Sequence, residues 1–285
     1  MAKKDNFANF ATTHIRKGLC TFLLMRKFMQ QYQILSKTRL GLWSGLASKK
    51  QRERTGLFAV EGEKSVGDLL GRFDLEALIV ENGMEHRVER MALHPEKVYT
   101  TNAAGMKKLS SLSTPPEVIA LFRLPEKRGE EGWSGVDKSE LYLVLDGVQD
   151  PGNMGTIIRT AHWFGIRRIF ASQDTVDIYN PKTIQATMGS LGKVEVIYTD
   201  LKALMLENPE MPRYGLMLEG KNIYRAELES RGFIIMGNEG KGISPELREL
   251  ISEPLLIPPY DPNNHGESLN VAIATAVTLA LFRAR

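Results

Sequence analysis

Arg159 sits inside an apolar helical pattern, among Ile157, Ile158 and Ala161, in the stretch DGVQDPGNMGTIIRTA. A charge beside an apolar face needs a partner. Six residues earlier, Asn153 stands between Gly152 and Gly155, where glycines let the backbone come close to a ligand. Asn153 can cap the helix that follows, and a helix N-terminus favours an anion. A plain strand-to-helix turn accounts for the glycines and Asn153, but not for Arg159. A second polar junction is FIIMGNEGKGISPEL, with Gly237, Asn238, Glu239 and Gly240 ahead of a helix that starts at Ser244-Pro245. Its glycine spacing is neither G-x-G-x-x-G nor a Walker A sequence, which argues against dinucleotide binding. A third is LLIPPYDPNNHGESLNVAIATA. There a strand ends at Ile257, a Pro- and Asn-rich loop follows, and Ser268 or Glu267 opens an almost wholly apolar helix with Asn270 at its start. Such a helix is expected to be buried. A cap plus a loop would explain this third junction taken alone.

All three junctions follow apolar runs. Leu141–Leu145, Arg168–Ala171, Val194–Tyr198, Tyr214–Leu218, Phe233–Gly237 and Pro254–Ile257 read as strands, with helical patterns between them. Several are apolar throughout, as strands covered on both faces should be. This alternation predicts a doubly wound, mainly parallel sheet over residues 141–285. Ligands in such sheets lie beyond the carboxyl ends of the strands. That directs attention to the loops after Leu145, Met236 and Ile257.

The chain before this region reads as a smaller α/β unit, residues 31–125. It holds a basic helix ending at Gly56, a strand Leu57–Val60, a helix from Glu63, a strand in LEALIVENG, a strand and helix in VYTTNAAGMKKLSSL with Thr101 or Asn102 as cap, and a strand in EVIALFRLP. The charged, Gly-containing stretch PEKRGEEGWSGVDKSE lacks periodicity and reads as a linker, residues 126–140. Met1 to Ser65 carries 13 Lys or Arg against 4 Asp or Glu, a net of +9, so the remainder is −6 within a total of +3. That asymmetry suggests a polyanion met by the N-terminal part. Cys20 is the single cysteine, which excludes an intrachain disulfide and fits a reducing compartment such as the cytoplasm. No Cys and His cluster has metal spacing, so no metal is expected. No apolar run reaches the length of a membrane span. Residues 1–30 carry a short apolar core between basic flanks without a small-residue cleavage site. They read as a poorly ordered extension, with Met25 or Met29 as a natural start.

Taken together, the three junctions resemble the SpoU (TrmH) family of RNA 2′-O-ribose methyltransferases, of the SPOUT superfamily. The first family motif resembles NMGTIIRTA, carrying Asn153, Gly155 and Arg159; the second, IIMGNEGKGI, carrying Gly237, Glu239 and Gly240; the third, IPPYDPNNHGESLNVAIATA, carrying Ile257, Ser268, Leu269 and Asn270. The resemblance covers about Leu141 to Arg285. KKQRERTGLFAVEG and STPPEVIAL resemble the edges of the substrate-binding domain many members carry. There are departures. Ile257-Pro258-Pro259 replaces a usual Ile-Pro-Met, the loop from Tyr260 to Glu267 is long, and TPPEV replaces a usual Thr-Pro-Gln-Gly. They bear on loop shape and RNA choice more than on the chemistry.

The resemblance implies a parallel α/β domain threaded into a trefoil knot, which topology rules would not predict, and a homodimer formed through the C-terminal domain with the site near its interface. It implies S-adenosylmethionine held by Gly237, Asn238, Gly240, Ile257, Leu269 and Asn270. Arg159, Asn153, Glu239, Ser268 and Asn270 would be the catalytic set. A guanidinium keeps its proton, so Arg159 is expected to stabilise a developing alkoxide rather than act as a base. Asn153 and Glu239 would position Arg159 or the ribose, a carboxylate being able to hold a guanidinium bidentately. Lys49, Lys50, Arg52 and Arg54 would grip RNA backbone. The expected substrate is structured RNA, 23S ribosomal RNA ahead of transfer RNA. The competing readings are a non-catalytic ribosome-assembly factor and a base methyltransferase.

Overall fold

Two sheets divide the residues described by this computed structural model, which are 32–89, 91, 95–125, 135–261, 263 and 266–284. The extension over 1–30 and residues 126–134 of the linker lie outside them. The first sheet holds β1 (Gln33–Ile34), β2 (Leu57–Glu61), β3 (Leu75–Glu81), β4 (Val98–Thr101) and β5 (Val118–Arg123), in the order β1-β4-β3-β5-β2. β1, β4 and β3 run parallel, and β5 is antiparallel to both β3 and β2. Its helices are α1 (Lys37–Trp43), α2 (Lys49–Thr55), α3 (Glu63–Leu69), α4 (His86–Glu89) and α5 (Ala103–Leu109). Of the two candidate caps for α5, Asn102 is used: its side chain accepts from the backbone N–H of Gly105 at 2.9 Å.

The second sheet holds β6 (Leu141–Leu145), β7 (Arg168–Ala171), β8 (Glu195–Tyr198), β9 (Arg213–Asn222), β10 (Gly232–Met236) and β11 (Glu253–Leu256). Every pairing is parallel, in the order β11-β9-β10-β6-β7-β8. The helices are α6 (Pro151–Trp163), α7 (Pro181–Thr187), α8 (Leu201–Glu207), α9 (Pro245–Arg248) and α10 (Val271–Arg283). All five residues of β6 and of β10 are buried, which is why their sequences are apolar without alternation. The strand order reverses between β6 and β10. Parallel sheets offer a crevice at such a switch point, and the first two junctions flank it.

α10 departs from expectation. Only one face is buried, through Val271, Ala272, Thr275, Thr278, Leu279 and Phe282, while Ile273 is 53% exposed and Ala280 faces solvent. The buried threonines satisfy their hydroxyls on the carbonyls of Val271 and Ala274. The two units share a continuous apolar core. The Phe58 ring lies 4.8 Å from that of Tyr179, and Phe73 packs on the same tyrosine. Burial and the neighbouring Asp177 both push the Tyr179 hydroxyl well above the ordinary phenol value.

Candidate active site

The loops leaving β6 and β10 are stitched to each other. Asp146 accepts from the backbone N–H of Ser244 at 2.6 Å, and the Asn238 side-chain amide donates to the carbonyl of Gly147 at 2.6 Å. The other end of Asn238 accepts from the N–H groups of Gly240 and Lys241, both at 3.0 Å. Gly237 is required where the second loop folds back, since a Cβ there would stand 2.3 Å from the backbone of Gly242 and Ile243. Asp150, not Asn153, caps α6: its carboxylate accepts from the N–H of Asn153 at 2.7 Å, with Pro151 at the first helical position. The Asp-Pro dipeptide carried that signal. Asn153 therefore lies in the first turn with its side chain free for other partners. Likewise Asn270, not Ser268 or Glu267, caps α10, accepting from Ala272 and Ile273.

A directed chain of hydrogen bonds then joins all three junctions. Asn270 Nδ2 donates to Asn153 Oδ1 at 2.9 Å, and Asn153 Nδ2 donates to Glu239 Oε1 at 3.0 Å. The amide orientations are dictated by the ends. Helix N–H groups require the oxygen of Asn270, and a carboxylate requires the nitrogen of Asn153. Glu239 also accepts from the backbone N–H groups of Gln149 and Asp150, each at 3.3 Å. Partial burial pushes its carboxyl up. The bonds from Asn153 and from backbone N–H groups, its own included, outweigh that and hold it below the usual value.

Glu239 thus orients Asn153, not Arg159. Six residues along α6 correspond to a rotation of about 120° from the face carrying Asn153. The Arg159 side chain is exposed and makes no ion pair or hydrogen bond among the described residues. Burial, then Lys193 and Arg72, lower the pKa of His162, one turn further on. Gly155 lets α6 approach α7, for a Cβ would stand 2.5 Å from Ala186 and from the carbonyl of Thr183.

Beside this network lies a cleft of about 410 Å³. Of the residues expected at a cofactor, Gly237, Asn238, Gly240, Ile257 and Leu269 line it and Asn270 does not; Glu239 and Ser268 line it, while Asn153 and Arg159 do not. Lys241 and Arg248 also line it, as do Leu216 to Leu218, which sequence reasoning missed because nothing in an ordinary strand pattern marks them. Among the described residues, the backbone groups of Ile257 and Leu269 make no backbone hydrogen bond outside ladders and helices. Backbone groups left unpaired at the wall of a cleft suit a ligand that can pair with them.

The basic helix is divided. Lys49, Lys50 and Arg54 are exposed. Arg52 is only 2% exposed and cannot grip RNA. It bonds the carbonyls of Leu46 and Ala47 at 2.9 and 2.8 Å and pairs with Asp177 of the second unit at 2.6 Å.

Residues 140–280 match the model of the SpoU rRNA Methylase family, and residues 37–120 match that of the MRM3-like substrate binding domain. A solved structure of a TrmH-family protein from Porphyromonas gingivalis is 35% identical, with a TM-score of 0.76, covering 88% of this chain and 99% of that one. The chain belongs to the SpoU family. Its SpoU relatives include the 23S rRNA (guanosine(2553)-2′-O)-methyltransferase RlmP of Bacillus subtilis, 29% identical over 90% of this chain and 100% of that protein. They also include an AdoMet-bound rRNA methyltransferase from Sinorhizobium meliloti, 26% identical with a TM-score of 0.76, covering 89% and 98%. The fold expected of a SpoU protein, a parallel α/β sheet behind an N-terminal unit, is the fold observed.

Proposed function

We propose that this chain transfers a methyl group from S-adenosylmethionine to a ribose 2′-hydroxyl of ribosomal RNA, with 23S rRNA as the first candidate. The observation that carries the reading is the Asn270–Asn153–Glu239 network, which ties the three family junctions together at the edge of the cleft. The cleft fits the cofactor: apolar walls at Leu216, Leu256 and Ile257 suit a flat base, and Glu239 and Ser268 suit a polar, cationic tail. When bound, S-adenosylmethionine supplies a methyl group already activated by its sulfonium charge.

The chain's own residues have three tasks. The backbone of Ile257 and Leu269 and the tight turn at Gly237 hold the adenosyl part. Asn153, its amide fixed at both ends, and Ser268 at the cleft line up the ribose so that the oxygen approaches opposite the bond that breaks. Arg159 stabilises negative charge growing on the 2′-oxygen while the proton leaves to a phosphate or water. A new oxygen–carbon bond replaces the carbon–sulfur bond.

The remaining parts of the reading are a division of labour and an assembly. Residues 31–125 bind RNA, 126–140 link, and 141–285 carry catalysis. The expected trefoil knot is supported by β11 lying beyond β9 while α10 returns to pack on α6. A homodimer is supported by the exposed apolar face of α10 and by Arg159, which stands off its own chain's Asn153 and so suits a site completed by a second copy. Among the described residues no helix is long and apolar enough to cross a membrane, and a cytoplasmic location belongs to the same proposal. The test is tritium transfer from labelled S-adenosylmethionine to separated, unmodified ribosomal and transfer RNA, followed by digestion to nucleosides. Label in 2′-O-methylnucleosides from the ribosomal fraction is expected; label on a base, or none in ribosomal RNA, overturns the reading.

A further inference from the structure

A cleft of about 430 Å³ opens in the first unit between α1, α2 and the ends of β2, β3 and β5. Its floor is apolar, made by Leu42, Trp43 and Leu57, and Leu42 is 44% exposed. Its rim carries Arg39, Arg54, Arg123 and one carboxylate, Glu76. The charge of Arg123 is met by Glu76 and Asp74. Among the described residues the Arg39 side chain donates only to neutral groups, Tyr99 at 2.8 Å and Gln33 at 3.3 Å, and its guanidinium lies over the Tyr99 ring. Arg54 has no ion pair among the described residues. Two positive charges therefore stand uncompensated beside a partly solvated apolar floor. Arg52 and Arg54 lie about 200° apart around α2, so this cleft opens away from the Arg52–Asp177 contact with the second unit.

We infer that this cleft is a nucleotide anchor for the RNA strand. One unstacked base packs on Leu42, the exposed part of a floor backed by the buried Trp43 and Leu57, and the adjoining phosphate is met by Arg54 and Arg39. Apolar side chains next to guanidinium groups suit the two halves of a nucleotide, since every base has an apolar face and every phosphate takes guanidinium hydrogen bonds. The inference rests on RNA being the substrate. It separates holding from chemistry: the anchor lies in the first unit, outside the network at the ends of β6 and β10. Weakening it raises KM for RNA and leaves kcat unchanged.

The experiment measures fluorescence anisotropy of a labelled, mixed-sequence single-stranded RNA of about twelve nucleotides, and of an abasic strand of equal length, on the full chain. Parallel assays follow methyl transfer to unmodified ribosomal RNA. Arg54→Glu is expected to weaken the RNA strand about tenfold and flatten its salt dependence. Lys107→Glu, the same charge change on exposed α5, is expected to shift it less than about twofold. Leu42→Ala is expected to weaken RNA about fivefold while sparing the abasic strand. Equal effects of Arg54→Glu and Lys107→Glu overturn the anchor, as do equal effects of Leu42→Ala on both strands. Tighter binding of a free nucleoside monophosphate than of the twelve-nucleotide strand also overturns it, in favour of a free-nucleotide site. If the variants differ as expected but the wild type transfers no methyl, the anchor stands and the methyltransferase reading falls. If methyl transfer occurs while Arg54→Glu matches Lys107→Glu, the reverse holds.

Discussion

Replacing Asn153 by Asp changes one atom in the network and leaves its shape intact. It converts the Nδ2 donor, 3.0 Å from Glu239 Oε1, into a carboxylate oxygen facing a carboxylate. At that separation two unit charges repel by about 1.4 kcal/mol in water and about 5 kcal/mol at an effective dielectric of 20. Glu239 is largely exposed, so screening brings the figure near the lower limit. Adding the lost hydrogen bond, about 1 kcal/mol, gives a destabilisation of about 2–3 kcal/mol at pH 7.5. In the wild type the Glu239 carboxyl lies below its ordinary value, so its stabilisation is present above the unfolded pKa and is lost as pH falls through the folded one. In Asn153→Asp the sign inverts. One carboxyl of the facing pair is raised, so the penalty is full at neutral pH and fades as pH drops below the raised value. Urea denaturation of both proteins at pH 7.5 and near pH 4.5 reads this directly. The double variant Asn153→Asp with Glu239→Gln restores one donor and one acceptor across the same gap and is expected to recover most of the loss. A penalty independent of pH, or a double variant no more stable than Asn153→Asp, refutes the network as described.

Arg159→Ala is expected to lower kcat by about 10²–10³-fold while leaving S-adenosylmethionine affinity within about twofold by calorimetry; wild-type turnover would remove Arg159 from the mechanism. Arg52→Ala leaves Asp177 unpaired at a buried contact and should cost about 3–5 kcal/mol in unfolding free energy without changing the salt slope of RNA binding. Lys50→Ala should do the opposite, costing under about 0.5 kcal/mol and reducing that slope by about 0.7. Gly237→Ala drives a methyl group into the Gly242–Ile243 backbone and should cost about 1–3 kcal/mol. It should also abolish the thermal shift given by S-adenosylmethionine, and an undiminished shift would show that the turn does not shape the cofactor cleft.

The junctions were legible because strand, turn and cap signals are local. β6 and β7 begin and end where their apolar runs do, and the other strands differ by a few residues. The second helix, by contrast, shows the limit of pattern. Lys49, Lys50, Arg52 and Arg54 share one composition, and only packing turned Arg52 inward to Asp177, 125 residues away. The caps Asp150 and Asn270 were missed in favour of neighbours of similar chemistry, because several polar residues in a row satisfy the same capping rule. α10 was expected to be buried, yet Ile273 on its outer face is exposed, because an almost wholly apolar sequence does not by itself say which sides find a neighbour.

By itself the sequence determined the class of fold and the three places where chemistry could occur. Apolar runs buried on both faces declare a parallel sheet, and turn formers after them declare the loops. Tertiary structure alone decided which polar groups meet. Asn270 reaches Asn153 across 117 residues, and Asn153 reaches Glu239 across 86, because the strand order sets β10 beside β6 and returns α10 to α6. Hydrogen-bond direction and the depressed Glu239 carboxyl both follow from that adjacency, for which no local pattern carries a signal.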